Sequence, residues 1–303
     1  MSLEAALQGA CRAIGIRPPR RTKPGHWVAC PVEGKAASNG AGRVLVFDDG
    51  RGGICWNHIT GQQQRFTAKG LANPEELRAP KRDPQAERLE RERLDAAQRA
   101  AQSMVMAAKP EPHPYLARKG FPEERGLVLQ DPAAFMPADP FFDGMRFQLA
   151  QMTGPFLILP GRIAKRLVTT QMIDALGAKL NMKAAPMAGA ACRIATGRET
   201  WLCEGIATAL TVRAALRLLG RSATVLSGFS ASNVAKVATQ IPGCIIAADH
   251  DAPLAQLHGQ GTGAFYAART GRVWTQPPER GDFNDWHLRD GLRAVTLHLR
   301  EVI

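Results

Sequence analysis

No stretch of this 303-residue chain approaches the roughly twenty consecutive apolar residues that a bilayer-crossing helix requires. The opening MSLEAALQGACRAIGI is amphipathic and has neither a basic leader nor a small-residue cleavage site, so no export signal is read there and the cytoplasm is the expected compartment, with no membrane partner. Cysteine is scarce, and Cys11, Cys30, Cys55, Cys192, Cys203 and Cys244 never fall in a CxxC, which argues against a disulfide framework. Aromatics make up only 6% of the residues, tyrosine occurs only at Tyr115 and Tyr266, and no internal repeat is present. Acid is also in short supply: 27 Asp and Glu against 39 Lys and Arg leave a formal charge of +12. Such an excess suits a polyanionic partner such as nucleic acid or nucleotide, and equally a basic soluble surface.

What is present is ordinary apolar content, enough for one substantial core and a smaller module. Ser2 is placed to cap a helix whose Leu3, Leu7, Ala10 and Ile14 share a face and which Gly15 ends. After the basic arm RPPRRTKPG, the runs HWVAC, RVLVFDD, GGICWN and QQRF, set between Gly, Asn and Asp turns, predict a small antiparallel module. The segment DPQAERLERERLDAAQRAAQSMVMAAKP reads as a helix with alternating charge on one side and Leu89, Ala97, Ala101 and Val105 on the other, a connector carrying no site. Strand-like GLVLQ, FLILP, LVTTQMI and CRIAT follow a short helix ending at Gly120.

In the last hundred residues strand and helix take strict turns: TWLCE, helix 206–219, ATVLS, helix 231–240, CIIAAD, helix 261–269, RVWT, then terminal helices. That alternation predicts an α/β fold with a parallel sheet and right-handed crossovers. The expected division is 1–80, an N-terminal β module; 81–110, the connector; 111–197, a mixed α+β subdomain; and 198–303, the parallel-sheet domain.

The acids of this last segment fall at strand ends. Glu204 closes the first strand, Asp249 and Asp251 close the third in AADHDAP, and Asp282 and Asp285 follow the fourth in GDFNDWH. Strand ends of a parallel sheet share one edge, so these carboxylates can converge although distant in sequence. Convergent carboxylates repel unless a cation neutralises them, and Mg2+ (or Mn2+) suits oxygen ligands, retained water and substrate phosphates. Phosphoryl or nucleotidyl transfer is the chemistry to which such a set points. Each acid alone has a plainer reading as a turn former or helix cap, and Asp285 in particular as an N-terminal helix carboxylate. The Asp249–Asp251 pair resists it better, since alternate residues of an extended segment face one side.

The runs CEGIATAL, ADHDAP and GDFNDWH resemble the Toprim domain, and more narrowly the catalytic core of the bacterial-type DNA primases of plasmids, phages and integrative elements. The resemblance implies that Glu204 handles proton transfer in synthesis, that Asp249 and Asp251 hold magnesium with Asp282 as an auxiliary ligand, and that single-stranded DNA and nucleoside triphosphates are bound. HPYLARKGF resembles the segment that opens such cores. RLVTTQMIDALGAKLNMKAAP resembles their stretch in which Lys179 and Lys183 would meet nucleotide phosphates or template, although unpaired lysines are also commonly just solvated. In GRIAKR, Arg162, Lys165 and Arg166 add positive charge whose role is open.

The N-terminal module resembles the zinc ribbon that precedes primase cores, and departs from it: CPVEG offers Cys30 and Glu33, and CWNH offers Cys55 and His58. His26 would have to complete a Cys2His2 set, and a β fold without zinc is the favoured reading. Toprim acids also serve topoisomerases and nucleases. The former need a strand-cleaving tyrosine in a domain of its own, which neither Tyr115 nor Tyr266 has. A Toprim nuclease and a catalytically silent single-stranded-DNA-binding accessory factor remain the alternatives to a primase. A replicative helicase or other replication protein is the further partner implied, and the domain that usually recruits one is not read after the Toprim-like segment.

Overall fold

The computed structural model describes residues 2–72 and 84–302. The expected boundary between N-terminal module and connector, at residue 80, lies outside the described residues. The chain divides into two compact units, Met1–Arg82 with Ala252–Thr262, and Asp83–Asp251 with Gly263–Ile303.

In the first unit Ser2 accepts the Ala5 N–H and caps α1 (Leu3–Ala13), whose Ala6, Leu7, Ala10 and Cys11 are buried on one face. That face covers an antiparallel sheet of β1 (Trp27–Cys30), β2 (Gly42–Val46), β3 (Gly52–Asn57), β4 (Gln63–Thr67) and β5 (Gly70–Ala72), paired in chain order. The alternating burial of β2 is what a sheet with one covered face demands. Segment 252–262 belongs here through Gln256, whose amide donates to the carbonyls of Gly15 and Glu33.

The second unit begins with α2 (Pro84–Ala107). Its first half is charged and exposed, with Arg88 paired to Glu92. Its second half buries Ala97, Ala100, Ala101 and Met104, so this stretch is part of a core and more than a connector. It packs on an antiparallel sheet made by β6 (Lys109–Pro112), β7 (Arg125–Leu129), β8 (Phe156–Ile163), β9 (Arg166–Ile173) and β10 (Lys179–Asn181), in the order β10-β9-β8-β7-β6. Between β6 and β7 lies α3 (Pro114–Arg118), and between β7 and β8 lies α4 (Asp143–Gln151). With two prolines β6 was invisible as a strand, and it is tolerated because it is an edge, where missing N–H donors cost no ladder bond.

The second sheet of this unit consists of β11 (Cys192–Ala195), β12 (Glu199–Cys203), β13 (Ala223–Ser227), β14 (Ile245–Ala247) and β15 (Val273–Thr275), ordered β11-β13-β12-β14-β15. Four strands are parallel; β11 joins β13 antiparallel, so the sheet is only partly the parallel one expected. The intervening helices are α5 (Ile206–Leu218), α6 (Ala231–Thr239) and α7 (Thr262–Ala268), followed by α8 (Phe283–Asp290) and α9 (Leu292–Arg300). Most of α5 is buried because it lies between two sheets. Ile206, Ala207 and Leu210 pack with Leu157, Leu159 and Ile173, while Ala209, Val212 and Leu216 pack with Trp201, Cys203 and Val225. No described helix is long and apolar enough to cross a membrane.

Candidate active site

The strand order decides where ligands can enter this sheet. From β12 the chain crosses to β13 on one side, then returns past β12 to β14 on the other. The helix after β12, α5, packs on the Trp201 and Cys203 face; Ala267 of α7, which follows β14, packs on the opposite face with Leu202 and Ile246. Connections that leave adjacent strands toward opposite faces open a crevice at their C-terminal ends. Cys203 pairs with Ala247, so Glu204 emerges level with Ala248, one residue before Asp249. Glu204 and Asp249 line one small cavity, together with Ala231, Val234, Gly263 and Ala267.

Asp249 is the electrostatic centre. Burial, then the negative charges of Glu204, Asp282 and Asp251, hold its carboxyl well above the ordinary carboxylate range, with Lys179 opposing them. Its Oδ1 is buried without a hydrogen-bond partner in the structure. Gly263 makes the close packing possible: a Cβ there would lie 2.3 Å from the Asp249 carbonyl oxygen. The same glycine's N–H donates to Asp251 Oδ2 at 2.9 Å, so one oxygen of Asp251 is committed to the first turn of α7.

Asp282 reaches the group by a backbone bridge between His250 and Gly281. It caps α8, accepting the Asp285 N–H while the Asp285 carboxylate accepts the Asp282 N–H, a reciprocal capping box. Gly281 has φ +125°, and a Cβ on it would approach the Asp285 carboxylate to 3.1 Å. Much of GDFND is therefore helix-start chemistry, with Asp282 retaining an electrostatic influence on Asp249.

The two lysines part company. Lys179, on the edge strand β10, brings its ammonium to 3.9 Å from where a Cβ on Gly205 would stand, beside the start of α5, and it acts on Asp249. Lys183 instead donates to the Phe141 carbonyl at 2.8 Å and rests 3.7 Å from the centre of the Phe141 ring. Gly205 is extended (φ −104°), so neither its backbone nor a close neighbour dictates glycine; α5 starts there with no side-chain cap.

HPYLARKGF lies beside the acids of GDFNDWH. His113 caps α3, its Nδ1 accepting the Tyr115 N–H and its Nε2 donating to the Pro155 carbonyl. Burial, with Asp282 and Asp285 adding to it, pushes the Tyr115 hydroxyl up to about 12, while Arg118 opposes. Arg118 donates to the Ala175 carbonyl at 2.5 Å, and Lys119 lies 3.5 Å from the Asp285 carboxylate. Nothing in the spacing of these residues pointed to this placement.

Among the described residues no three Asp, Glu, His or Cys side chains form a group able to hold a metal ion by themselves. Mg2+, however, usually takes only one or two protein carboxylates and completes its shell with water and phosphate oxygens. Hard oxygen donors, an orphaned buried carboxylate oxygen and mutual repulsion around it fit such a cation. The zinc candidates sit differently. Cys30 and Cys55 are buried in the first unit's core, Cys55 with its sulfur 3.6 Å from Cys11, a neighbour that spacing had not suggested. Burial and then the adjacent Cys11 push the Cys30 thiol up to about 11. His58 lies tilted against Trp56 with ring centres 4.0 Å apart, and His26 is exposed.

No family model matches the chain. Among solved structures, the primase fragment of the bacteriophage T7 primase-helicase protein is similar with a TM-score of 0.35 and 17% identity, over 48% of this chain and 63% of that one. A structure of the bacteriophage T7 lagging-strand DNA polymerase interacting with primase domains bound to an RNA/DNA hybrid and dTTP is similar with a TM-score of 0.35 and 16% identity, over 47% of this chain and 76% of that one. The chain thus spans less than two thirds of the primase fragment.

Proposed function

We propose that the second unit is a Toprim-type nucleotidyl transferase and that the chain is a DNA primase of the kind carried by mobile elements, joining nucleoside triphosphates on a single-stranded DNA template. The observation that supports this most is the meeting of Glu204 and Asp249 in one cavity at the sheet's switch point, with Asp251 and Asp282 close enough to raise the Asp249 pKa. Asp249 and Glu204 would hold a divalent cation, with Asp251 contributing the oxygen that Gly263 does not use. A bound Mg2+ or Mn2+ would neutralise these acids and stabilise charge on a transferring phosphoryl group. Glu204 is the group best placed to take the proton of the attacking hydroxyl, because it lines the same cavity as Asp249 at the end of the neighbouring strand. Lys179 would orient the triphosphate, its charge held beside the uncapped start of α5. A replicative helicase or another replication protein is the further partner this reading implies.

The test is template-dependent synthesis: purified protein with single-stranded DNA, Mg2+ or Mn2+, and labelled ribo- and deoxyribonucleotides. Short products are expected, and Glu204→Gln and Asp249→Asn should abolish them while leaving DNA binding intact, because neither removes a positive charge. Shortened template in place of products would indicate a nuclease. Template binding with neither outcome would indicate an accessory binder, and either result overturns the proposal.

A further inference from the structure

A second concave surface of the same unit has no part in that chemistry. It is a groove of about 620 Å3 between the turn joining β8 to β9, the strand β11 and the C-terminal end of α6. Arg162, Lys165 and Arg193 stand on it, and no carboxylate lines it. Among the described residues none of these three cations has an ion pair, in contrast to Arg213, Arg221 and Arg289, which are held by Glu124, Glu199 and Glu279. Arg166, next in sequence to Lys165, is bound to Gln98 and is not on the groove. The remaining lining is mostly aliphatic: Ile163, Leu226, Val237 and Ile241. No aromatic side chain lines it.

The groove also borders a sheet edge. β11 ends the strand order; among the described residues the one backbone pairing on its outer side is the bridge between Ala191, the residue before it, and Arg162 of β8, while Cys192 and Ile194 pack on Leu157 and Leu159. An edge strand with open outer positions is a template for an added strand.

From these features we infer that the groove docks an extended peptide segment of a partner protein in which acidic residues alternate with aliphatic ones. The peptide backbone pairs along β11, its aliphatic side chains enter the floor, and its carboxylates meet Arg162, Lys165 and Arg193. Alternation is required because successive side chains of an extended strand point to opposite sides. A nucleic-acid strand suits the cations but not the floor, since sequence-tolerant strand binding relies on aromatic stacking platforms, which this groove lacks. The inference does not depend on the reaction proposed above.

The test selects a phage-displayed random dodecapeptide library on the intact protein, with the double variant Lys165→Glu/Arg193→Glu as counter-target. Both positions are exposed, so the variant should fold, which a thermal melt verifies; Lys165→Ala and Ile241→Ser serve as milder probes of rim and floor. Recovered peptides should alternate Asp or Glu with Leu, Ile or Val. By fluorescence anisotropy, charge reversal should weaken them at least about tenfold, and oligo(dT) should not displace them. Failure to enrich such peptides, binding indifferent to the charge reversal, or displacement by oligo(dT) with the same loss in the variant would overturn the inference; the last result would make the groove a nucleic-acid track.

Discussion

Asp249→Asn should make the protein more stable in the absence of divalent cations, although it removes the residue at the centre of the candidate site. The native carboxylate has one oxygen, Oδ1, that is buried with no hydrogen-bond partner, and it is pressed by Glu204, Asp282 and Asp251. A charged group left unsatisfied in a buried position costs more than the neutral amide that replaces it, so relief of about 2 kcal/mol is expected when the charge is removed. For a unit of this size that corresponds to a melting temperature raised by about 4–8 °C. The effect has a definite pH signature. An unfolded chain gives up the aspartate proton near about pH 3.9, whereas folded Asp249 keeps it to higher pH, so the folded state binds more protons across that interval and loses stability as pH rises through it. The variant binds no proton at this position, and its advantage should therefore grow as pH rises above about 4. Burial lowers the pKa of His58, His113, His287 and His298, which removes stability as pH falls, but both proteins share that contribution and the difference cancels it. The assay is a pair of thermal melts in chelator across this range. A variant that melts below the native protein at the alkaline end, or a gap that does not change with pH, would refute the electrostatic account.

The rest of the site is testable with conservative changes. Adding millimolar Mg2+ to the same melts should raise the native protein and leave Asp249→Asn nearly unmoved, since metal binding stabilises only the form that binds it. Gly263→Ala should cost about 1–3 kcal/mol in denaturant titrations because its Cβ meets the Asp249 backbone, whereas Gly205→Ala, whose nearest neighbour is the Lys179 ammonium at 3.9 Å, should fall within about 0.5 kcal/mol of native. His113→Ala removes the α3 cap and the bond to Pro155 and should cost about 1–3 kcal/mol near neutral pH. Because burial depresses the folded His113 pKa, the native protein's advantage over that variant should narrow as pH falls below about 6.5. In primer-synthesis assays Lys179→Ala should raise the nucleotide KM, while Lys183→Ala, whose ammonium is occupied by Phe141, should leave it near native.

The alternation of the last hundred residues was legible to within a residue or two, because each strand is a short apolar run and each helix starts at Gly, Ser or Asp. β13 coincides with ATVLS, and α5 stops one residue short of its expected end. Of the edge strands, β1, β11 and β15 were legible, whereas β6 and β10 were not. β6 reads KPEP and β10 only KLN, and an edge needs little apolar character and tolerates proline. α4 was missed as well: its DGMRFQLAQ buries only Met145 and Leu149, too sparse a stripe to announce a helix.

For the site, residue identity was legible and partnership was not. That Glu204 and Asp249 end strands follows from the apolar runs before them; that those strands are neighbours follows from the order β13-β12-β14, which is set by which helices pack on which face. Had β14 been added outside β13, the same sequence pattern would have kept the two acids a strand further apart and left no crevice between them. The capping box, by contrast, was written in the chain as Asp282 and Asp285 three residues apart at the start of α8, and it uses carboxylate oxygens that a cation at the proposed site would also need. Asp282 is thus the acid whose loss should separate the two roles. Asp282→Asn keeps a side-chain oxygen for the Asp285 N–H and so keeps the helix start, while lifting one negative charge from Asp249. Stability without metal should then rise and synthesis persist at a reduced rate. A variant as inactive as Asp249→Asn would instead make Asp282 a principal ligand.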